Sequence, residues 1–217
     1  MEVKPIQNFE TKDWLLNRHY ARRMPSISYA FGLYDEGQLV GVVTYGSPPS
    51  PTLCDGVCGK SYRNNVIELN RLILDSPKKN SASLLVSRSL QMLPKPTIVV
   101  SYADTNQGHV GYIYQATNFV YTGLSAKRIE WAIKGKEHLH SKSISDGRTV
   151  DELKEHYGDD FYYRERSRKH RYVFFVGSKS QKKKMRNALT YDLQPYPKGE
   201  TQRYDASGYV ATQGILF

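Results

Sequence analysis

Cysteine is scarce in this chain, with only Cys54 and Cys58 among 217 residues. Two thiols cannot make a disulfide framework. Their C-x-x-x-C spacing has no second Cys/His pair at finger distance, so no zinc site is predicted. Long apolar runs are missing as well. None reaches membrane-spanning length, and Met1-Glu2-Val3-Lys4 opens no apolar signal region. The expectation is a soluble, cytoplasmic protein with no membrane partner. Common catalytic signatures are absent too: there is no G-x-S-x-G elbow, no P-loop and no dinucleotide glycine fingerprint.

Acid is the other shortage, and it is local. The whole chain carries a net charge of +10. Between Arg164 and Arg186 there are ten Lys/Arg and one acid, Glu165, so this window holds nearly all of the excess. A concentrated basic surface favours phosphate-rich partners. Tyr162, Tyr163, Tyr172, Phe174 and Phe175 lie among those cations, as in nucleic-acid surfaces that add stacking to charge. Arg22 and Arg23 add an earlier basic pair. The predicted DNA contacts are therefore Arg22, Arg23, Arg166, Arg168, Lys169, Arg171, Lys182, Lys183 and Lys184. Tyrosine is abundant, at 17 residues, and combines apolar area with a hydroxyl suited to polar pockets.

Element signals follow in order. Trp14-Leu15-Leu16 within residues 11–23 suggests an early helix, stopped before Pro25. Two β-rich runs, 29–34 and 38–45, flank Asp35-Glu36-Gly37 and read as a hairpin. Prolines 48, 49 and 51 end the second strand, and residues 52–65 read as a loop. A strand is expected over 66–74 and a helix from 80 or 81 to 93, with Leu84, Leu85, Val86, Leu90 and Leu93 at helical spacing. A short buried strand follows at 97–102, then a helix at 110–118. Residues 119–123 and 128–133 read as a strand pair. Thr149-Val-Asp-Glu152 resembles a capping box. A last strand is expected at 171–176, and the chain beyond Gly177 reads as irregular. The fold class is α+β: a central twisted sheet flanked by helices. It divides into a catalytic domain, 1–177, and a basic tail containing Pro, Gly and Tyr, 178–217.

Four groups can carry chemistry. The turn Lys78-Lys79-Asn80-Ser81, with Ser83, precedes a helix whose N-terminus favours anions, and reads as a pyrophosphate cradle. Arg71 sits inside an apolar strand three positions from Glu68, which by strand alternation places the two on opposite faces. Arg71 then meets a ligand phosphate, a catalytic carboxylate or another structural acid. Asp104 ends an apolar strand, where reacting groups collect, and can act as base or as a loop cap. Tyr114 and Tyr45 can donate a proton, hold an acyl oxygen or simply pack. His138 and His140 form H-x-H, a feasible metal pair but more often plain loop composition.

Several short segments occur together in a familiar order. They are His19-Tyr-Ala-Arg-Arg-Met-Pro25, Tyr45-Gly-Ser-Pro-Pro-Ser50, Glu68-Leu-Asn-Arg-Leu72, Ser101-Tyr-Ala-Asp104, Gly108-His-Val-Gly-Tyr-Ile-Tyr-Gln-Ala116, Asn118-Phe119, and Glu130-Trp131 followed by Gly135-Lys-Glu-His138. The set resembles the phage Mom DNA-modification family, a branch of the GNAT acyltransferase superfamily, over roughly residues 15–145. The resemblance implies a GNAT-like sheet and a transferase of phage origin acting in the bacterial cytoplasm on double-stranded DNA. It would place an acetamido (carbamoylmethyl) group on the exocyclic amine of adenine and so block host restriction. It also implies functional roles for Tyr45, Arg71, Asp104, Tyr114 and a serine between Ser83 and Ser89.

The donor implied is acetyl-CoA or a related acyl or aminoacyl donor, such as the end of an aminoacyl-tRNA. Many superfamily members have a glycine-rich loop where this chain reads Ser76-Pro-Lys-Lys-Asn-Ser-Ala-Ser83, which leaves the donor open. Iron has been proposed for the family, although no ligand set stands out in the sequence. Two other readings remain: a conventional acyl-CoA-dependent N-acetyltransferase on a protein or small molecule, and a non-catalytic DNA-binding module.

Overall fold

The computed structural model describes residues 1–199 except 20, 76, 77, 106, 107, 138 and 140–143. In chain order its strands are β1 (Glu2–Pro5), β2 (Tyr29–Asp35), β3 (Gln38–Gly46), β4 (Val66–Leu74), β5 (Thr97–Asp104), β6 (Val120–Leu124), β7 (Arg128–Ile133), β8 (Phe161–Arg166) and β9 (Lys169–Val176). Its helices are α1 (Pro51–Cys58), α2 (Ser81–Met92), α3 (Tyr112–Ala116), α4 (Val150–Tyr157) and α5 (Lys179–Asn187). Seven strands form one sheet in the order β1-β2-β3-β4-β5-β9-β6, and β7 and β8 form a separate ribbon. Among the described residues only β4 and β5 run parallel, with α2 as their crossover. This is the expected α+β class. Among the described residues no helix is long and apolar enough to cross a membrane.

The β2–β3 hairpin forms because Asp35 pairs with Gln38 around a two-residue turn. Glu36 (φ 50°) and Gly37 (φ 81°) both take positive φ, the mirror-image turn that matches strand twist. Each sheet face then buries its own core. On one face Phe31, Leu33, Val43, Leu69 and Val99 pack against Leu85, Val86 and Leu90 of α2. On the other, Val66, Ile98, Val100 and Val173 pack with Val57 of α1 and Met185 of α5. Trp14 and Leu15 cover Val42 and Ile73 on that same second face.

Several expectations are corrected. The early helix is only a 3-10 turn, Asn8–Thr11, and one π-helical segment, Trp14–Arg18. Residues 52–65 are not a loop, because Ser50 Oγ accepts the Leu53 N–H (3.3 Å) and Pro51 starts a helix. The pair 119–123 and 128–133 does not form. β6 pairs with β9, whose Tyr172 and Val173 are fully buried, and β7 pairs with β8, a strand with no strong apolar signal. The Thr149/Glu152 capping box does open α4.

The chain beyond Gly177 is irregular only from residue 188 on, since a helix comes first. Ser178 and Gln181 box the start of α5, whose Met185 is 1% exposed. After it, Gln194 N–H donates to the Tyr121 carbonyl (3.0 Å) and the Tyr196 hydroxyl to the Phe119 carbonyl (2.6 Å). Residues 200–217 of the expected tail lie outside the described residues.

Candidate active site

The site begins with an irregularity in β4. Gly46 pairs with Glu68, Tyr45 with Leu69, and Thr44 with Arg71, so Asn70 is an extra residue in the ladder. Such a bulge resets the side-chain alternation. Glu68 and Arg71 therefore face the same side, contrary to the sequence expectation. The bulged Asn70 is held at both ends of its amide: its Oδ1 accepts from Thr44 Oγ1 (2.6 Å) and its Nδ2 donates to the Ser26 carbonyl (2.8 Å). Arg71 Nη1 donates to the Asn70 carbonyl (2.7 Å).

Burial sets the electrostatics here. It pushes the Glu68 carboxyl above its ordinary value, against the opposing pull of Arg71 and then Lys169. His19 is buried beside the same guanidinium. Burial first, and the Arg71 charge second, lower its pKa to about 4. Its Nδ1 accepts the Ala21 N–H (3.0 Å), which fixes the neutral ring with its proton on Nε2.

Asp104 lies on this face of β5, opposite Lys169 of β9. Its Oδ1 accepts from Ser167 Oγ (2.8 Å) and its Oδ2 meets Lys169 Nζ (3.4 Å). The side chain is 17% exposed. Lys169 thus contacts Asp104 and also stabilises the charged form of Glu68. One seam carries Asp104, Lys169, Glu68, Arg71 and His19. Between β4 and β5, pairing stops at Leu69–Ser101 although both strands continue. Their facing edges past that point are free of each other's ladder.

The two predicted tyrosines lie on the opposite face. Tyr45 is fully buried, and its hydroxyl shares a 2.6 Å bond with Ser89 Oγ, which donates to the Val86 carbonyl (2.9 Å). Burial raises the Tyr45 pKa well above the usual tyrosine range. Tyr114 is half-buried, with its ring 5.3 Å from Phe119 and 5.2 Å from Tyr172. The structure thus groups Arg71 with Asp104, and Tyr45 with Tyr114, with the sheet between the groups. Glu68 and His19 belong to the site although sequence reasoning gave them no role. The bulge that recruits Glu68 has no sequence signature, and His19 was visible only as part of a motif.

At the turn before α2, the polar side chains mostly hold the turn itself. Lys78 pairs with Asp35. Ser81 Oγ donates to the Lys78 carbonyl (2.7 Å) and Ser83 Oγ to the Asn80 carbonyl (3.0 Å). Asn80 takes φ 64° at the N-cap without a side-chain cap bond, and Lys79 is exposed. An anionic donor here would meet Lys79 and first-turn N–H groups. Among the described residues no group of three or more His, Cys, Asp or Glu can hold a metal ion, so iron finds no ligand set. His138 and His140 lie outside those residues.

The predicted DNA contacts divide in two. Arg168 Nε donates to the Ser125 carbonyl (2.7 Å). Arg171 donates to Thr122 Oγ1 (2.9 Å) and the Thr122 carbonyl (3.0 Å) and stacks on Tyr191 at 3.3 Å. These two brace β6. Lys169 is tied to Asp104, and Arg166 approaches Glu130 at 3.7 Å. Arg22, Arg23, Lys182, Lys183 and Lys184 are exposed. Beside Asp104 opens a polar cleft of about 570 Å3, lined by Thr105, Leu124, Glu130, Arg164, Ser167 and Arg168 among others.

The chain is 29% identical over 218 residues to the methylcarbamoylase mom of Escherichia phage Mu, covering 91% of this chain and 84% of that protein. Among solved structures, an N-acetyltransferase from Staphylococcus aureus Mu50 aligns at 14% identity with a TM-score of 0.44, covering 81% of this chain and 98% of that one. A probable acetyltransferase from Staphylococcus epidermidis ATCC 12228 aligns at 8% identity and 0.47, with the same two coverages. The Mom protein family model matches residues 1–198, and the chain belongs to that family.

Proposed function

We propose that this protein is a DNA-modifying transferase that adds an acetamido (carbamoylmethyl) group to the exocyclic amine of adenine in phage DNA, shielding it from restriction. The observation that carries the reading is Asp104. It is a carboxylate held on both oxygens at the edge of an open polar cleft, in a chain of the Mom protein family. The activity named for the phage Mu relative supports the same chemistry.

An adenine amine is paired inside the duplex, so the base must leave the stack to react. The cleft beside Thr105 and Ser167 is the place for the extruded base. There Asp104 orients the amine and takes the proton lost as its nitrogen bonds to the methylene carbon of the donated carbamoylmethyl group, whose bond to the leaving group breaks with the electron pair going to that group. Ser167 and Lys169 keep the carboxylate aimed. Arg71, set by the bulge, and Lys79 hold the anionic part of the donor. Tyr45 and Tyr114 lie across the sheet from Asp104, so neither hydroxyl is given a part in the proton transfer. Arg22, Arg23 and the exposed lysines of α5 hold the DNA backbone.

The test is mass spectrometry of nucleosides from DNA of cells producing the protein. The expected result is a deoxyadenosine heavier by one acetamido group, absent with Asp104→Ala of unchanged thermal stability. An unmodified profile from well-folded wild type, or full modification by Asp104→Ala, overturns the assignment.

A further inference from the structure

Residues 21–25 form a short exposed tip whose two ends are fixed beside the active site. At its start His19 holds the turn twice: its carbonyl accepts the Arg22 N–H (3.0 Å) and its Nδ1 the Ala21 N–H (3.0 Å). Arg22 takes φ 41°, a left-handed backbone that a non-glycine residue keeps only where its surroundings hold it. At its end the Ser26 carbonyl accepts from Asn70 Nδ2 (2.8 Å), and it lies so close to Gly46 that any Cβ there would collide with it. The tip is a shaped loop and not a loose connection.

Its charge is one-sided. No acid occurs between Asp13 and Asp35. Arg18 pairs with Asp13 and Asp75, while Arg22 and Arg23 are exposed and, among the described residues, have no acidic partner. Two such cations on a fixed tip suit the phosphates of a nucleic-acid strand, whose contacts set register and orientation. The tip adjoins the seam, since His19 is buried beside Arg71.

Asn70 is the joint. Its amide bonds Thr44 within the sheet and Ser26 at the end of the tip, and its carbonyl accepts from Arg71 Nη1 (2.7 Å). One bulged residue therefore sets both a guanidinium of the site and the basic tip. We propose that Asn70 is a positioning residue for DNA: through Ser26 it holds Arg22 and Arg23 against the backbone of double-stranded DNA, in fixed relation to Arg71. The inference rests on the DNA-modifying reading and adds what registers the duplex on the site.

The test needs no donor and no turnover. Duplex binding is measured by fluorescence anisotropy across a salt series, with melting curves beside it. Arg22→Ala/Arg23→Ala is expected to lower the slope of log affinity against log salt by up to about 2, roughly 0.9 for each phosphate released. Asn70→Ala is expected to reproduce most of that loss and to add nothing when combined with the two arginine substitutions. Thr44→Val removes the other bond of the amide and keeps the one to Ser26, so it should melt lower than wild type yet bind DNA as wild type does. Asn70→Asp, which still accepts from Thr44 but no longer donates to Ser26, takes the place of Asn70→Ala if that variant does not fold. Its loss should vanish in the arginine-substituted background. Losses that persist there, an Asn70 variant that binds as wild type does, an equal loss in Thr44→Val, or no duplex binding by wild type overturn the inference. Nucleoside mass spectrometry of wild type then judges the enzymatic reading separately.

Discussion

Glu68 and Arg71 share one face of β4 because Asn70 is an extra residue between Leu69 and Arg71 in the ladder with β3. The pair lies in a half-buried seam with Lys169 and His19, where charge is costly unless balanced.

The Glu68 carboxyl, raised by burial, gives stability with a defined sign. Its contribution is complete below the ordinary value of 4.5 and is lost as pH rises through the raised value. Glu68→Gln should remove that slope. Urea unfolding of both proteins from acid to neutral pH should show their stability difference changing across this window. A constant difference would contradict it.

His19 acts in the opposite sense. Held neutral, with a pKa near 4 against 6.5 unfolded, it costs stability as pH falls from 6.5 towards 4, because only the unfolded state gains the proton. His19→Gln should flatten the acid limb of a melting-temperature profile in this interval.

Tyr45→Phe should cost about 1 kcal/mol of stability, the usual net worth of one hydrogen bond, and leave DNA modification nearly intact. Its hydroxyl reaches Ser89 inside the core, and Ser89 keeps its bond to the Val86 carbonyl. Chemical denaturation read beside nucleoside mass spectrometry separates the two effects.

Helix α5 should be structural on one side and DNA-facing on the other. Met185→Ala is expected to destabilise the fold by about 2–4 kcal/mol through the cavity it leaves.

The combined substitution of Lys182, Lys183 and Lys184 by alanine should spare stability. It should lower the slope of log affinity against log salt by up to about 3, roughly one for each phosphate no longer neutralised. Salt titrations by fluorescence anisotropy, with unfolding curves as control, measure both.

The sequence was most legible where one physical rule dominated. Strand β4, helix α2 and strand β5 were readable because apolar spacing was dense and prolines closed the ends. Asp104 and Arg71 stood out as charges within such segments. Glu68 was misplaced because counting by twos cannot register a bulge, which depends on the partner strand. Helix α1 was hidden by a sequence of cysteine, glycine and proline, and its Ser50 cap is clear only with the backbone in hand. Helix α5 buries Met185 alone, so its charged face looked like a solvated tail. Strand β8 was missed because it belongs to a ribbon outside the core and carries no apolar run.

The insertion of β9 between β5 and β6 has a consequence in time. Both neighbours precede β9 in the chain, and the group that orients Asp104, Ser167, comes 63 residues after it. A chain emerging from the ribosome completes β5, β6, the ribbon and α4 before any residue of β9 exists. Until then Asp104 has neither Ser167 nor Lys169, and one edge of β5 has no partner. Non-local pairings of this kind form late and slowly. Asp104 gains both contacts only when β9 has closed the sheet, so an unfinished chain holds the proposed site in parts.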